Sequence, residues 1–248
     1  MKDTLVAASL LVGLSIGLLP AAAPKAQETP ERRTIWDIHL GDTASSIPEA
    51  YVSYACGTNG GPPSLPLANF AAFKKCKPDL AGLHEVYFEY DDELEYEARA
   101  LEDKQRIRMY AGTTVFEFPI VASVLFDDSG RVRGERMVTD PRQQVSRDRI
   151  EFWELGNFIR QRYGEDHWAC TDLAPREGEN PAGSRFIKNH CEKTIAGAHM
   201  ILEQRFFQKK GQQFRDSTTG KAQPQAFESA TRFEMYDASV SQAVVSQN

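Results

Sequence analysis

Leu83-His-Glu-Val-Tyr-Phe-Glu-Tyr-Asp-Asp-Glu-Leu-Glu-Tyr-Glu97 alternates apolar and acidic residues along its length. Val86, Phe88, Tyr90, Leu94 and Tyr96 fall on one side of an extended chain. Glu85, Tyr87, Glu89, Asp91, Glu93, Glu95 and Glu97 fall on the other. A period of two belongs to a strand with one wet face. Asp91-Asp92 is a place where such a strand can fold into a hairpin. The reading gives a sheet and, on its wet side, an acidic stripe.

The residues just before this run recur further on. Cys76-Lys-Pro-Asp-Leu-Ala-Gly-Leu-His84 is echoed by Cys191-Glu-Lys-Thr-Ile-Ala-Gly-Ala-His199. Tyr54-Ala-Cys56 matches Trp168-Ala-Cys170, and Leu40-Gly-Asp42 matches Leu155-Gly-Asn157, all at offsets of 114 or 115 residues. Three blocks in one order read as a degenerate duplication. The expected domains are a signal peptide at 1–26, a first module at 27–145 and a second at 146–248. A duplicated plan implies duplicated disulfides, Cys56 with Cys76 and Cys170 with Cys191. Each would close a loop of about 20 residues, worth roughly 3 kcal/mol in the chain-entropy model.

Each module is expected to place short helices before its strands. Ser46-Ile-Pro-Glu49 has the form of a capping box, which predicts a helix to about Tyr54. Ser64-Leu-Pro66 opens a second helix with Leu67, Phe70 and Ala71 on its buried side. Phe152, Leu155, Phe158, Ile159 and Tyr163 predict a helix over about 148–163. Strand-rich runs follow at 113–126, 131–138, 199–208 and 230–236, and Asp127-Asp-Ser-Gly130 is a turn. Helices first and strands afterwards, twice, is an α+β plan.

Leu40-Gly-Asp-Thr-Ala-Ser45, a helix, and then Val121-Ala-Ser-Val-Leu-Phe-Asp-Asp-Ser-Gly-Arg-Val132 resemble the small outer-membrane lipoproteins called SmpA/OmlA. Tandem modules of that shape, each with a disulfide, also resemble the β-lactamase inhibitory proteins. The likeness covers mainly the first module. The chain departs from it in its long loops and in lacking a lipid-acceptor Cys after the signal. The resemblance implies a non-catalytic binding or assembly protein.

Composition narrows the partners. Residues 1–26 carry an early Lys, an apolar run from Leu5 to Leu19 cut short by Pro20, and a small-residue exit, the three parts of an export signal. Removing Lys2, Lys25 and Asp3 leaves 27 basic and 34 acidic residues, a net charge of −7. That balance disfavours nucleic acid and anionic membranes. No later apolar run approaches a membrane span. Four cysteines in an exported chain point to disulfides and to a periplasmic or secreted protein.

The stripe of Glu85, Glu89, Asp91, Glu93, Glu95 and Glu97 is the candidate binding surface, for a basic protein surface or a small ligand. A cation is the alternative, although alternate carboxylates on a strand stand about 7 Å apart, too wide for one compact cage. A bare solvated face is the structural alternative. An enzyme would need dispersed catalytic residues, with His84, Glu85 and Asp92 as the nearest group. G-x-S-x-G occurs at Gly13-Leu-Ser-Ile-Gly17, within the expected export signal; H-E-x-x-H and C-x-x-C are absent from the sequence, and no cofactor is implied. Asn59-Gly-Gly61 resembles an anion-cradling loop but lacks the Lys-Ser/Thr of a phosphate loop.

Overall fold

The antiparallel hairpin of Phe118–Phe126 and Val132–Thr139 organises the sheet. In a computed structural model, β1 is Tyr51–Cys56 and β2 His84–Tyr90, followed by helices α1 (Glu93–Ala100) and α2 (Lys104–Tyr110). Then come β3 (Thr114–Val115), β4 (Phe118–Phe126), β5 (Val132–Thr139) and helix α3 (Leu155–Arg162). Next come β6 (Ala169–Asp172), β7 (Glu179–Asn180), β8 (Ile187–Ile195), β9 (Ala198–Lys209) and β10 (Glu228–Asp237). The structure describes residues 32–240, apart from 92, 111, 143–150, 213–217 and 221–226. The expected export signal, 1–26, lies outside the described residues.

The main path of the sheet runs β1-β2-β4-β5-β10-β9-β8-β6, every pair antiparallel, with β3 and β7 added at β4 and β9. The chain segments 27–145 and 146–248 each supply a meander, and the two join where β5 pairs with β10. This corrects the expected α+β plan of helix-led modules. The protein is mostly antiparallel sheet with a few short helices.

The physical reasons are local. Ser46 does not cap a helix; it closes a turn back to Thr43, donating from Oγ to the Thr43 carbonyl at 2.9 Å. Tyr51-Val-Ser-Tyr-Ala-Cys56 then extends, as its aromatic and β-branched residues favour. Tyr51 is buried edge-on against Phe88 and Phe70. The expected second helix is a 3-10 turn at Phe70–Lys75. Of the expected helix over 148–163, a 3-10 turn at Phe152–Glu154 and α3 are present; 148–150 are outside the described residues.

The deciding stretch is half strand and half helix. From Glu93 the spacing that matters is four, not two: Leu94 and Ala98 are buried, whereas Tyr96 is 75 % exposed. Glu95 pairs with Arg99 one turn on, and Asp91 accepts a hydrogen bond from the Glu93 amide at 3.1 Å. A run of alternating apolar residues also contains pairs four apart, so the pattern fits both elements. Replacing Tyr96 with Asp should change stability by no more than about 0.5 kcal/mol. A large loss in a denaturant titration would return Tyr96 to the core and α1 to a strand.

The disulfides are Cys56–Cys76 and Cys170–Cys191. The repeated blocks do not take equivalent places in the sheet. Cys76 lies in coil after the 3-10 turn, but Cys191 lies within β8, directly opposite Cys170 of β6. His84 opens the second strand from one edge, and His199 lies in the third strand from the other.

One sheet face carries the main core: Phe88, Ala122, Met137, Phe233, Leu202 and Cys191 form one transverse row across six strands. Helix α3 packs on this face, with Leu155 and Ile159 fully buried. The carbonyls just beyond its C-terminus are held by Lys193, whose Nζ donates to those of Tyr163, Gly164 and Asp166, each at 2.7 Å.

Candidate functional site

The acidic stripe is divided by the fold. Glu85 is buried on β2 beneath the Gly57–Gly61 loop. Its carboxylate accepts from Arg136 Nη1 at 2.6 Å and from the backbone amides of Asn59 (2.7 Å) and Gly60 (3.3 Å). The Asn59-Gly60 loop thus does cradle an anion, and the anion is the chain's own. Asn59 and Gly60 both adopt positive φ to turn their amides inward. A Cβ on Gly57 would stand 2.3 Å from Glu85 Cγ, so the close approach requires glycine.

Arg136 is the centre of this network. Its Nε donates to Glu234 Oε1 at 2.6 Å and its Nη2 to the Tyr236 hydroxyl at 3.2 Å, while Tyr236 donates to Glu234 Oε2 at 2.9 Å. Burial alone would raise the Glu234 carboxyl, but Arg136 and Arg232 outweigh it and hold it below the usual range. Arg232 also donates to the Asn59 carbonyl at 2.9 Å and so ties β10 to the loop. Glu85 serves this internal network.

His84 and Glu85 cannot act together, because consecutive strand residues point to opposite faces. The His84 ring contacts the Cys76 carbonyl at 2.6 Å and Asp128 at 3.1 Å. Asp92 lies outside the described residues. Among the described residues, no three His, Cys, Asp or Glu side chains are arranged to hold a metal.

Glu89 and Glu95 do converge. Together with Asp140, Tyr87, Arg142 and Ser53 they line a cleft of about 460 Å³ beside edge strand β1. Tyr87 donates to Glu89 Oε1 at 2.5 Å. Burial, and then this hydrogen bond, push the Tyr87 hydroxyl up to about 12. Asp140 is held by the Arg142 backbone amide at 2.8 Å and by its guanidinium at 2.9 Å. Glu95 accepts from the Gly112 amide at 2.6 Å and from Arg99. Asp140 is thus paired with Arg142 and Glu95 with Arg99, and Glu89 has no ion pair among the described residues. Ser53 sits at a bulge in β1 with φ of +55°, a conformation that costs energy and re-aims the chain at the cleft mouth. Asp91 and Glu93 are exposed outside this group, and Glu97 pairs with Arg106 at 3.2 Å.

Sequence reasoning missed a second cavity, of about 310 Å³, between α3, β6, β8 and β9. Its floor includes Gln204, which lies on the Met200, Leu202 and Phe206 side of β9. A polar residue at an apolar position of a strand was the available signal. Sequence reasoning also missed Glu135, fully buried on the core face of β5.

Comparison of the chain with family models, curated proteins and solved structures finds no match.

Proposed function

We propose that this is an exported, disulfide-stabilised, non-catalytic envelope protein that binds a cationic group, an ammonium or guanidinium, of a partner protein or small ligand. The carrying observation is the convergence of Glu89, Glu95 and Asp140 on one cleft at the sheet edge. With Asp140 paired to Arg142 and Glu95 to Arg99, the Glu89 carboxylate leaves the group one negative charge in excess, which favours a positive guest. Two oxidised cysteine pairs support a periplasmic or secreted location. No helix among the described residues is long and apolar enough to cross a membrane. The resemblance of Leu40–Ser45 and Val121–Val132 to SmpA/OmlA implies the same kind of work, binding rather than catalysis, although the helix expected between them is a strand.

Calorimetric titration with arginine methyl ester and with a hexalysine peptide tests the reading. Saturable binding at low salt is expected, weakened several-fold by added salt and by Glu89→Gln. Glu89 is half-buried at the rim, so this exchange should leave stability nearly unchanged. Equal affinity of the Glu89→Gln protein, or no binding of either probe, would contradict it.

A further inference from the structure

We infer that the cavity under α3 is a second binding site, for a neutral polyhydroxy ligand of the saccharide class. Three neighbouring strands carry Gln204 (β9), Asn189 (β8) and Asp172 (β6) in one transverse row. Gln204 lies opposite Asn189, and Asn189 opposite Asp172. All three line the cavity, with Asn157 and Arg160 of α3 above them and Trp153 and Phe186 in the walls.

Two atoms in this row lack hydrogen-bond partners among the described residues: Gln204 Oε1 and Asn189 Oδ1. Gln204 is 1 % exposed. Its Nε2 is fully used, donating to the Trp153 carbonyl at 2.6 Å and to Asn157 Oδ1 at 3.3 Å, and this fixes the side chain with its oxygen unpaired. The packing around it is tight, since a Cβ on Gly156 would stand 2.4 Å from Gln204 Cδ. A buried acceptor left unpaired costs free energy, so a ligand hydroxyl that donates to it recovers that cost.

The lining decides the chemistry of that partner. Two carboxamide oxygens and the Asp172 carboxylate demand donors, and Arg160 offers a donor in return. A hydroxyl does both, and neighbouring hydroxyls fit planar amide and guanidinium groups side by side. Charge selects a neutral guest. Lys188 is paired with Glu179 at 2.7 Å, which leaves Arg160 and Asp172 to offset one another. Trp153 supplies apolar wall against which the C–H face of a sugar ring can pack. The volume lies at the lower end of small-molecule sites, about 300–1,000 Å³, which suits a mono- or disaccharide. The site is independent of the acidic cleft: one lies beside β1 and the other beside β6, the opposite ends of the sheet path.

The test is ligand-observed NMR and calorimetry on the disulfide-intact protein. The probes are glucose, galactose, mannose, N-acetylglucosamine and maltose, with arginine methyl ester and phosphate as charged controls. Asn189→Leu is the informative variant. It removes the orphan oxygen and keeps the size, so the fold should hold with an unchanged or raised Tm. The expected result is saturable binding of at least one sugar, weakened at least about tenfold in Asn189→Leu, where tenfold corresponds to about 1.4 kcal/mol. Three results would each overturn the inference. The first is no sugar binding up to about 10 mM, where even millimolar affinity would register. The second is equal binding by Asn189→Leu. The third is competition for this cavity by the charged controls alone.

Discussion

Replacing Arg136 with Met is expected to destabilise the protein by about 3–5 kcal/mol, the cost of leaving buried charges without their partner. Arg136 is 1 % exposed, and it alone bridges Glu85 of β2, Glu234 of β10 and the Tyr236 hydroxyl. Without it Glu85 keeps only the Asn59 and Gly60 amides, and the almost wholly enclosed Glu234 keeps only Arg232 as a cation to set against two carboxylates on one sheet face. Neutralising both carboxylates as well, as Arg136→Met with Glu85→Gln and Glu234→Gln, should recover much of the loss, because the damage comes from unpaired charge and not from lost packing. Denaturant titration of the single and triple variants measures this. A single variant within about 1 kcal/mol of the parent would remove the network from the account of stability.

The second expected result runs the other way. Glu135→Leu should stabilise the protein at neutral pH by about 1–3 kcal/mol. Glu135 faces the core between Val124 and Met235, and its Oε1 has no hydrogen-bond partner among the described residues. Burial first, and then Asp42, push its carboxyl well above the usual carboxylate range, against the pull of Arg162. The folded state therefore holds a proton that the unfolded chain releases near pH 4.5. By linkage, its contribution is fully present below that pH and is lost as pH rises through the raised folded-state value. The advantage of the Glu135→Leu variant over the native carboxyl should thus be smaller at pH 4 and grow toward pH 8. A stability difference flat across that range would contradict the buried-acid reading.

Much of the sheet was legible because its signals are local. The Asp127–Gly130 turn carries its own chemistry: Asp127 Oδ1 accepts from Ser129 and Arg131 amides, and Gly130 has φ of +79°. The strand-rich runs at 199–208 and 230–236 lie within β9 and β10. The central place of β5 was hidden because Arg133, Glu135 and Arg136 make it look like a wet strand, and only the partners on β2 and β10 explain its charges. β1 was hidden by a capping-box pattern that tertiary packing of Tyr51 overrides. The stripe misled for a geometric reason. Glu85 and Glu89 share a strand with Tyr87 between them, yet Glu85 turns under the Gly57–Gly61 loop, and Glu95 reaches the Glu89 cleft only because α1 folds back. Gln204 and Asn189 left a faint trace, polar residues on an apolar side, whose meaning depends on α3 lying above them.

The central functional claim is that a cationic group seats in the cleft beside β1. Mapping amide chemical shifts during titration with arginine methyl ester tests it most directly. Saturating shifts are expected to concentrate at Val52, Ser53, Glu89, Gly112 and Thr113, around the carboxylates of Glu89, Glu95 and Asp140. Shifts scattered over the exposed acids of α1, or absent at those five amides while others move, would contradict it.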